Sequence, residues 1–243
     1  MEIKDKVVVI TGANGGIGSA IARKLDKEGC FLVLAARTIE SLTGLKKDLK
    51  TNYLEVEMDV ANSKSVSDAF TTILKKVESI DVLVNVAGVM PLTYLKNLHL
   101  DEWLNTIEVN VKGILRTLHG ALPSMKKQNK GHIVNIASVD GKELYKGGAV
   151  YGASKAAIIA LSRAMRMELS PEFNIKVTSI EPGTVDTDLR NDITDTELLN
   201  DKDYGGDEPM LHPEDIARAV LYVISEPDQS NINQLTIKPT GKS

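Results

Sequence analysis

The chain has 243 residues, 42% hydrophobic and 26% charged, which is enough for one substantial core burying roughly 70 to 75% of the unfolded surface and too short for two full domains. Lys and Arg number 29 against 33 Asp and Glu, a formal charge of −4 with both signs scattered, which argues against nucleic acid or an anionic membrane as partner. No apolar stretch approaches the roughly 18 residues of a membrane span, and the single cysteine, Cys30, has no disulfide partner, so an inert buried thiol and a reducing, cytoplasmic setting are expected.

Residues 1–6 carry mixed charges and lead straight into Val7-Val8-Val9-Ile10, the length of a buried strand and not a signal-peptide core. From there short β-branched runs alternate with longer amphipathic segments. Strands are predicted over 7–10, 31–35, 53–57, 82–85, 132–136, 176–180 and 234–237, and helices over 16–28, 39–50, 63–77, 101–125, 150–169 and 213–224. Strands that are apolar almost throughout belong in a parallel sheet covered on both faces, so the expected architecture is a doubly wound α/β three-layer sandwich with a seven-stranded parallel sheet, one domain over 1–243. Ser63 is the expected N-cap of its helix, Pro213 after His212 opens another, and Ser170-Pro171 is expected to end the long helix before it. The stretch 189–212 lacks periodic apolar residues. It holds seven acids against Arg190 and Lys202, with Gly205-Gly206, and is expected to be a mobile substrate lid.

Directly between the first strand and first helix lies Thr11-Gly12-Ala13-Asn14-Gly15-Gly16-Ile17-Gly18. Glycines let backbone approach a pyrophosphate, and the helix N-terminus offers unpaired N–H groups and the positive dipole end. In dinucleotide folds an acid about 20 residues further on binds the ribose 2′-OH, whereas an arginine accommodates a 2′-phosphate. Here the second strand ends Leu34-Ala35-Ala36-Arg37 with no acid, which favours NADP(H) over NAD(H), unless Arg37 is only a solvated loop residue.

Tyr151 and Lys155 share one helix face by their four-residue spacing, and a lysine cation about 4 Å from a tyrosine supplies roughly the 4 kcal/mol needed to bring its pKa from about 10 to about 7. Ser138 follows the fifth strand, at the carboxyl edge of the sheet where open α/β folds bind ligands.

Together these motifs resemble the short-chain dehydrogenase/reductase family over nearly the full chain: Thr11-x-x-x-Gly16-x-Gly18, Asp59-Val60, Asn85-Val86-Ala87-Gly88, Asn110, Ser138, Tyr151-x-x-x-Lys155, and Pro182-Gly183 followed by Thr187. Val86 stands where the family usually has a second asparagine, with little effect expected on the turn. The resemblance implies a Rossmann fold and an NADP(H)-dependent oxidoreductase that interconverts a carbonyl and a secondary alcohol on a small molecule. It implies that Tyr151 is the general acid or base, that Ser138 holds the substrate oxygen, that Lys155 holds the nicotinamide ribose while depressing the tyrosine pKa, and that Asn110 supports a water-linked proton path. Cofactor contacts are implied for Gly12, Asn14, Gly16, Ile17 and Gly18 on the pyrophosphate side, Asp59 and Val60 at the adenine, Asn85, Ala87 and Gly88 at the adjoining ribose, and Pro182, Gly183, Val185 and Thr187 at the nicotinamide end.

His99, His119, His132 and His212 are dispersed without metal-ligand spacing and read as surface or helix residues, so no metal is expected. Glu181 before Pro182-Gly183, with the ending 231–239, is similar to a branch that includes enzymes acting on 3-hydroxy acids such as serine. Two alternatives are a 3-oxoacyl carrier-protein reductase, for which Lys126, Lys127 and Lys130 would form the docking patch, and a non-catalytic NADP-sensing protein, against which the retention of Ser138, Tyr151 and Lys155 speaks. Apolar residues on the outer faces of the 101–125 and 150–169 helices, with the resemblance, imply a homodimer or homotetramer.

Overall fold

The computed structural model describes residues 3–201, 204 and 209–241. Seven strands, β1 Val7–Thr11, β2 Phe31–Ala36, β3 Tyr53–Glu57, β4 Val82–Asn85, β5 Gly131–Ile136, β6 Ile175–Pro182 and β7 Gln234–Ile237, form one sheet in the order β3-β2-β1-β4-β5-β6-β7. Every pairing is parallel, in registers such as Val8↔Val82 and Ile133↔Val177. The helices are α1 Gly16–Asp26, α2 Thr43–Lys46, α3 Ser63–Lys76, α4 Leu100–Ile107, α5 Gly113–Lys127, α6 Ala149–Phe173, α7 Thr196–Leu199 and α8 Pro213–Ser225. This is the doubly wound seven-stranded sandwich expected from the alternation of apolar runs.

Strand alternation divides the core in two. Val8, Ile10, Leu32 and Leu34 point to the layer of α1 and α8, where Ile21, Leu25, Ile216 and Val220 are buried. Val9, Val33, Leu83 and Ile133 point to the opposite layer, against Phe70, Ile73, Met125 and Ile158 of α3, α5 and α6. Because both sheet faces are covered, only the strand ends reach solvent, and the carboxyl ends of β1, β4, β5 and β6 supply one edge. Among the described residues no helix is long and apolar enough to cross a membrane.

Local chemistry moves several boundaries. The cap of α3 is Asn62 and not Ser63: its side chain accepts from the N–H groups of Lys64 and Ser65, two open donors that a serine already inside the helix does not reach. The helix expected over 39–50 is a 3-10 turn, Ile39–Leu42, followed by the single turn of α2, with only Leu42 and Leu45 buried as anchors. The helix expected over 101–125 is broken by a π-helical stretch, Glu108–Lys112, between α4 and α5. Gly113 follows it in close approach to Val60, whose Cγ2 would lie 3.0 Å from a Cβ there. Pro171 does not end α6, because in the last turn it removes only one backbone bond. The helix stops at Asn174, left-handed at φ 50°, whose N–H returns to Ser170. Pro213 opens α8 as expected, and His212 and Asp215 cap it reciprocally.

The excursion after β6 leaves and rejoins the body at one place. Val185 and Leu211 form a parallel bridge, Asp186 N–H donates to Leu211 O and Leu211 N–H to Thr184 O, both at 2.9 Å.

Candidate active site

The first wall of the site is the turn after β1. Thr11 Oγ1, buried at the end of β1, accepts the N–H groups of Val86 at 3.1 Å and Ala87 at 3.2 Å, pinning the turn after β4 to the turn after β1. Since backbone groups make that link, valine serves at position 86. Gly12 takes φ +64° and a Cβ there would lie 2.9 Å from Ala87 Cα; a Cβ on Gly16 would lie 2.8 Å from Thr187 Cγ2, which seats the β6 exit against the same turn. The N-cap of α1 is Gly15, with no side chain on the open N–H groups and no acid in the first turn. Asn14, Gly15 and Gly16 are exposed there, so Gly16, Ile17 and Gly18 open α1 with donors and dipole unneutralised, the chemistry a pyrophosphate requires. Arg37 lies just past β2, exposed and with no hydrogen bond or ion pair among the described residues. Asp59 shapes the turn after β3, its carboxylate accepting from Ala61 N–H at 2.9 Å, and Val60 is buried with its carbonyl bonded to Arg116.

The Asn85 side chain is buried between layers, donating to Asn135 Oδ1 at 2.8 Å and accepting from Thr117 Oγ1 at 2.7 Å, while Asn135 donates on to Ser162. It ties β4, β5, α5 and α6 together, which leaves the backbone at the end of β4 as the part of Asn85 nearest the carboxyl edge.

Tyr151, Ser138 and Lys155 do converge. Ser138 sits beyond β5 and acts on the Tyr151 hydroxyl, and Lys155, one helical turn from Tyr151, lies with Nζ 5.6 Å from the tyrosine ring centre and donates to Ile136 O at 2.9 Å. Gly88 reaches the same spot: a Cβ there would lie 3.8 Å from Lys155 Nζ and 3.2 Å from Asn110 Oδ1. Asn110, inside the π-helical stretch, accepts from Val89 N–H and donates to Val89 O, both at 2.9 Å, and donates to Ser154 Oγ at 3.1 Å. Its side chain thus fixes the loop that carries Gly88. The extra residue of the π stretch turns this asparagine inward, a common device at functional sites.

The tyrosine titration runs opposite to the expectation. Burial and then the Asp140 carboxylate push the Tyr151 hydroxyl above its usual value, with only the Ser138 hydrogen bond opposing them, and Lys155 does not offset this. Burial brings Lys155 itself down to about 8, against the upward pull of Asp140.

Pro182 and Gly183 close β6, where Gly183 N–H donates to Ile237 O at 2.7 Å, and Val185 and Thr187 follow on the exit loop. The 189–212 stretch is less solvated than its composition implies. Ile193 and Leu198 are buried in a cluster with Leu92 and Tyr151, and Leu198 Cδ1 would lie 2.8 Å from a Cβ on Gly147. Asp195 caps α7 and also accepts from Tyr94 N–H at 2.9 Å, while Lys96 pairs with Glu197 and Tyr94 Oη with Asp201. Lys202, Asp203, Gly205, Gly206, Asp207 and Glu208 of that stretch lie outside the described residues.

The segment Asp140 to Tyr145 is a substrate-shaping stretch by sequence, but the bonding of its two ends was not foreseen. Asp140 donates its N–H to Ser138 Oγ at 3.1 Å, and its carboxylate accepts from Tyr145 Oη at 3.2 Å. Its own sequence signal is its position two residues past Ser138. Two other readings are corrected. His132 is a buried β5 residue, its Nε2 2.8 Å from Thr178 Oγ1, and burial lowers it to about 3. Lys130 pairs with Asp228 and Lys126 lies 4.5 Å from the Phe173 ring, at the amino end of β5, the opposite edge from Ser138, so no docking patch lies beside the site. Cys30 is buried as expected, its Sγ donating to Ile3 O at 3.3 Å.

Comparison with known proteins agrees with this geometry. Residues 6–198 match the family model for short chain dehydrogenase. An uncharacterized oxidoreductase of Staphylococcus aureus strain MW2 is 38% identical over 238 residues, 98% of each chain. The closed form of serine dehydrogenase complexed with NADP+ superposes with TM-score 0.86 at 33% identity, over 98% of this chain and 96% of that one. An alcohol dehydrogenase from the archaeon Thermococcus sibiricus, complexed with 5-hydroxy-NADP, gives TM-score 0.85 at 29% identity over 98% of both. The chain belongs to the short chain dehydrogenase family of oxidoreductases.

Proposed function

We propose that the protein is an NADP(H)-dependent oxidoreductase interconverting a small-molecule carbonyl and a secondary alcohol through Ser138, Tyr151 and Lys155. The observation that carries this reading is the meeting of Tyr151 and Ser138 with Lys155 at the carboxyl edge of the sheet, beside the uncapped start of α1. The nicotinamide cofactor supplies or takes the hydride when bound. Tyr151, held above its ordinary pKa, keeps its proton at neutral pH and is therefore set to donate it to a carbonyl oxygen in reduction, and its anion takes the proton back in oxidation. Ser138 orients that oxygen. Lys155, with a pKa near 8, exchanges protons close to neutrality and, when charged, stabilises the tyrosinate. The unpartnered Arg37 and the NADP complexes of the two similar structures support NADP(H) over NAD(H).

Residues 189–212 act as the substrate lid of a single domain in this reading, with Asp195 and Leu198 as its anchors. Leu100 and Leu104 of α4, Leu115 of α5 and Met167 of α6 are exposed and form the apolar faces through which copies would pair. The test is the initial rate of NADPH oxidation across small aldehydes, ketones and diketones. Tyr151→Phe is expected to lower turnover at least about a hundredfold while leaving NADPH affinity within a few-fold. Equal loss of both would make Tyr151 structural and overturn the assignment.

A further inference from the structure

The 3-10 turn Val139–Gly141 carries a carboxylate to the hydroxyl pair of the site. Asp140 binds Ser138 through its own N–H at 3.1 Å, and its carboxylate accepts from Tyr145 Oη at 3.2 Å. The turn has no room to swing away from α6. A Cβ on Gly141 would lie 2.9 Å from Ala156 N, and one on Gly152 would lie 2.8 Å from Asp140 O. The turn that carries the carboxylate is therefore held against α6 beside Gly152, the neighbour of Tyr151, and its charge acts on both Tyr151 and Lys155.

The apolar side chains that cover Tyr151 are Leu92, Ile193 and Leu198, with Met90, Tyr94 and Tyr204 packed on them. Of the nearby cations, Lys142 is taken by the buried Glu181 at 2.6 Å and Lys96 by Glu197, whereas Lys155, bonded to Ile136 O, keeps its charge and favours the ionised form of Asp140 against the burial that raises it. The charges acting on Asp140 are those of Lys155 and Glu143. Lys146, on the outer crevice beside Tyr94 and Tyr145, and Arg190, beside Tyr204, are not among them.

We propose that Asp140 sets the charge class of the substrate, admitting neutral ketones or alcohols and those with an amine one carbon from the reacting carbon, and turning away those with a carboxylate on that neighbouring carbon. This rests on the reading of Ser138 and Tyr151 as the groups that hold the substrate oxygen. A carboxylate within a few ångströms of Asp140 in a dry site is repelled, and an ammonium there is attracted.

Asp140→Asn keeps the side-chain shape and removes the charge. Three ketones of similar size test it: acetoacetate as the anion, its methyl ester as the neutral form, and aminoacetone as the cation. Each is measured for kcat/KM with NADPH and, separately, for binding to the NADP+ complex by saturation-transfer NMR. The expected result is that Asp140→Asn raises the anion and lowers the cation, each by roughly tenfold, with the neutral ester within about threefold. Equal changes in all three would reduce Asp140 to a positioning residue, and an unchanged anion-to-cation ratio would overturn the proposal while leaving the oxidoreductase reading intact. Charge-selective binding that Asp140→Asn reverses, without turnover of any ketone, would sink the oxidoreductase reading and leave this one standing.

Discussion

A Cβ atom on Gly18 would lie 2.1 Å from the carbonyl oxygen of Gly12, so the first turn of α1 and the turn after β1 are in backbone contact with no space for a methyl group. Gly18→Ala is expected to cost about 3 kcal/mol in urea unfolding and to weaken NADPH binding, because the α1 N-terminus must shift. Gly44→Ala in α2, with nothing within 4 Å of the added carbon, is the control and is expected to be neutral or to gain about 0.5 kcal/mol. A Gly18→Ala protein as stable as wild type would show that the turn is looser than described.

Asn85→Ala leaves Asn135 Oδ1 buried without its donor. The expected cost is about 2 kcal/mol of stability, with the NADPH dissociation constant within about threefold at a temperature where both proteins are folded. A large loss of affinity without loss of stability would restore a direct cofactor contact for this side chain.

His132 makes the fold acid-sensitive. Its folded pKa, about 3, lies below the ordinary 6.5, so between these values the unfolded chain takes up a proton that the folded one refuses. Stability is therefore unaffected above pH 6.5 and falls as the pH drops toward 3. Between pH 7.5 and 5.0 the wild type is expected to lose about 2 kcal/mol more than His132→Gln, read from urea midpoints. Parallel pH profiles would mean that His132 is charged in the folded protein.

Arg37→Ala separates the two cofactors. With its guanidinium free of other partners, the loss is expected to fall on NADPH, by tenfold or more for a charge-assisted phosphate contact, and to leave NADH within about twofold, measured by fluorescence titration. A parallel loss for both would remove the phosphate role.

The sheet was legible in sequence because apolar runs mark the strands, and Tyr151 and Lys155 could be placed on one helix face by their spacing of four, whereas Ser138 was singled out by its position past the fifth strand and by the family resemblance. Asp140 was not, because it lies in a 3-10 turn where spacing carries no direction. The π-helical stretch was hidden for a related reason, since one inserted residue shifts the apolar pattern without breaking it. Ile193 and Leu198 were lost among acids, as two isolated apolar residues make no period. The Tyr151 titration followed burial, which is set by elements far apart in the chain.

The bridge between Val185 and Leu211 gives the segment between them the character of an exchangeable module. Its two ends already meet, so changing its length alters closure entropy only slowly, by about 0.6 kcal/mol per doubling. The sheet never registers the change, because β6 is complete at Pro182 and α8 starts from its own cap at His212. Segments of other lengths and compositions can be spliced between the same two clasping residues, so this stretch is open to evolutionary replacement without disturbing the sheet.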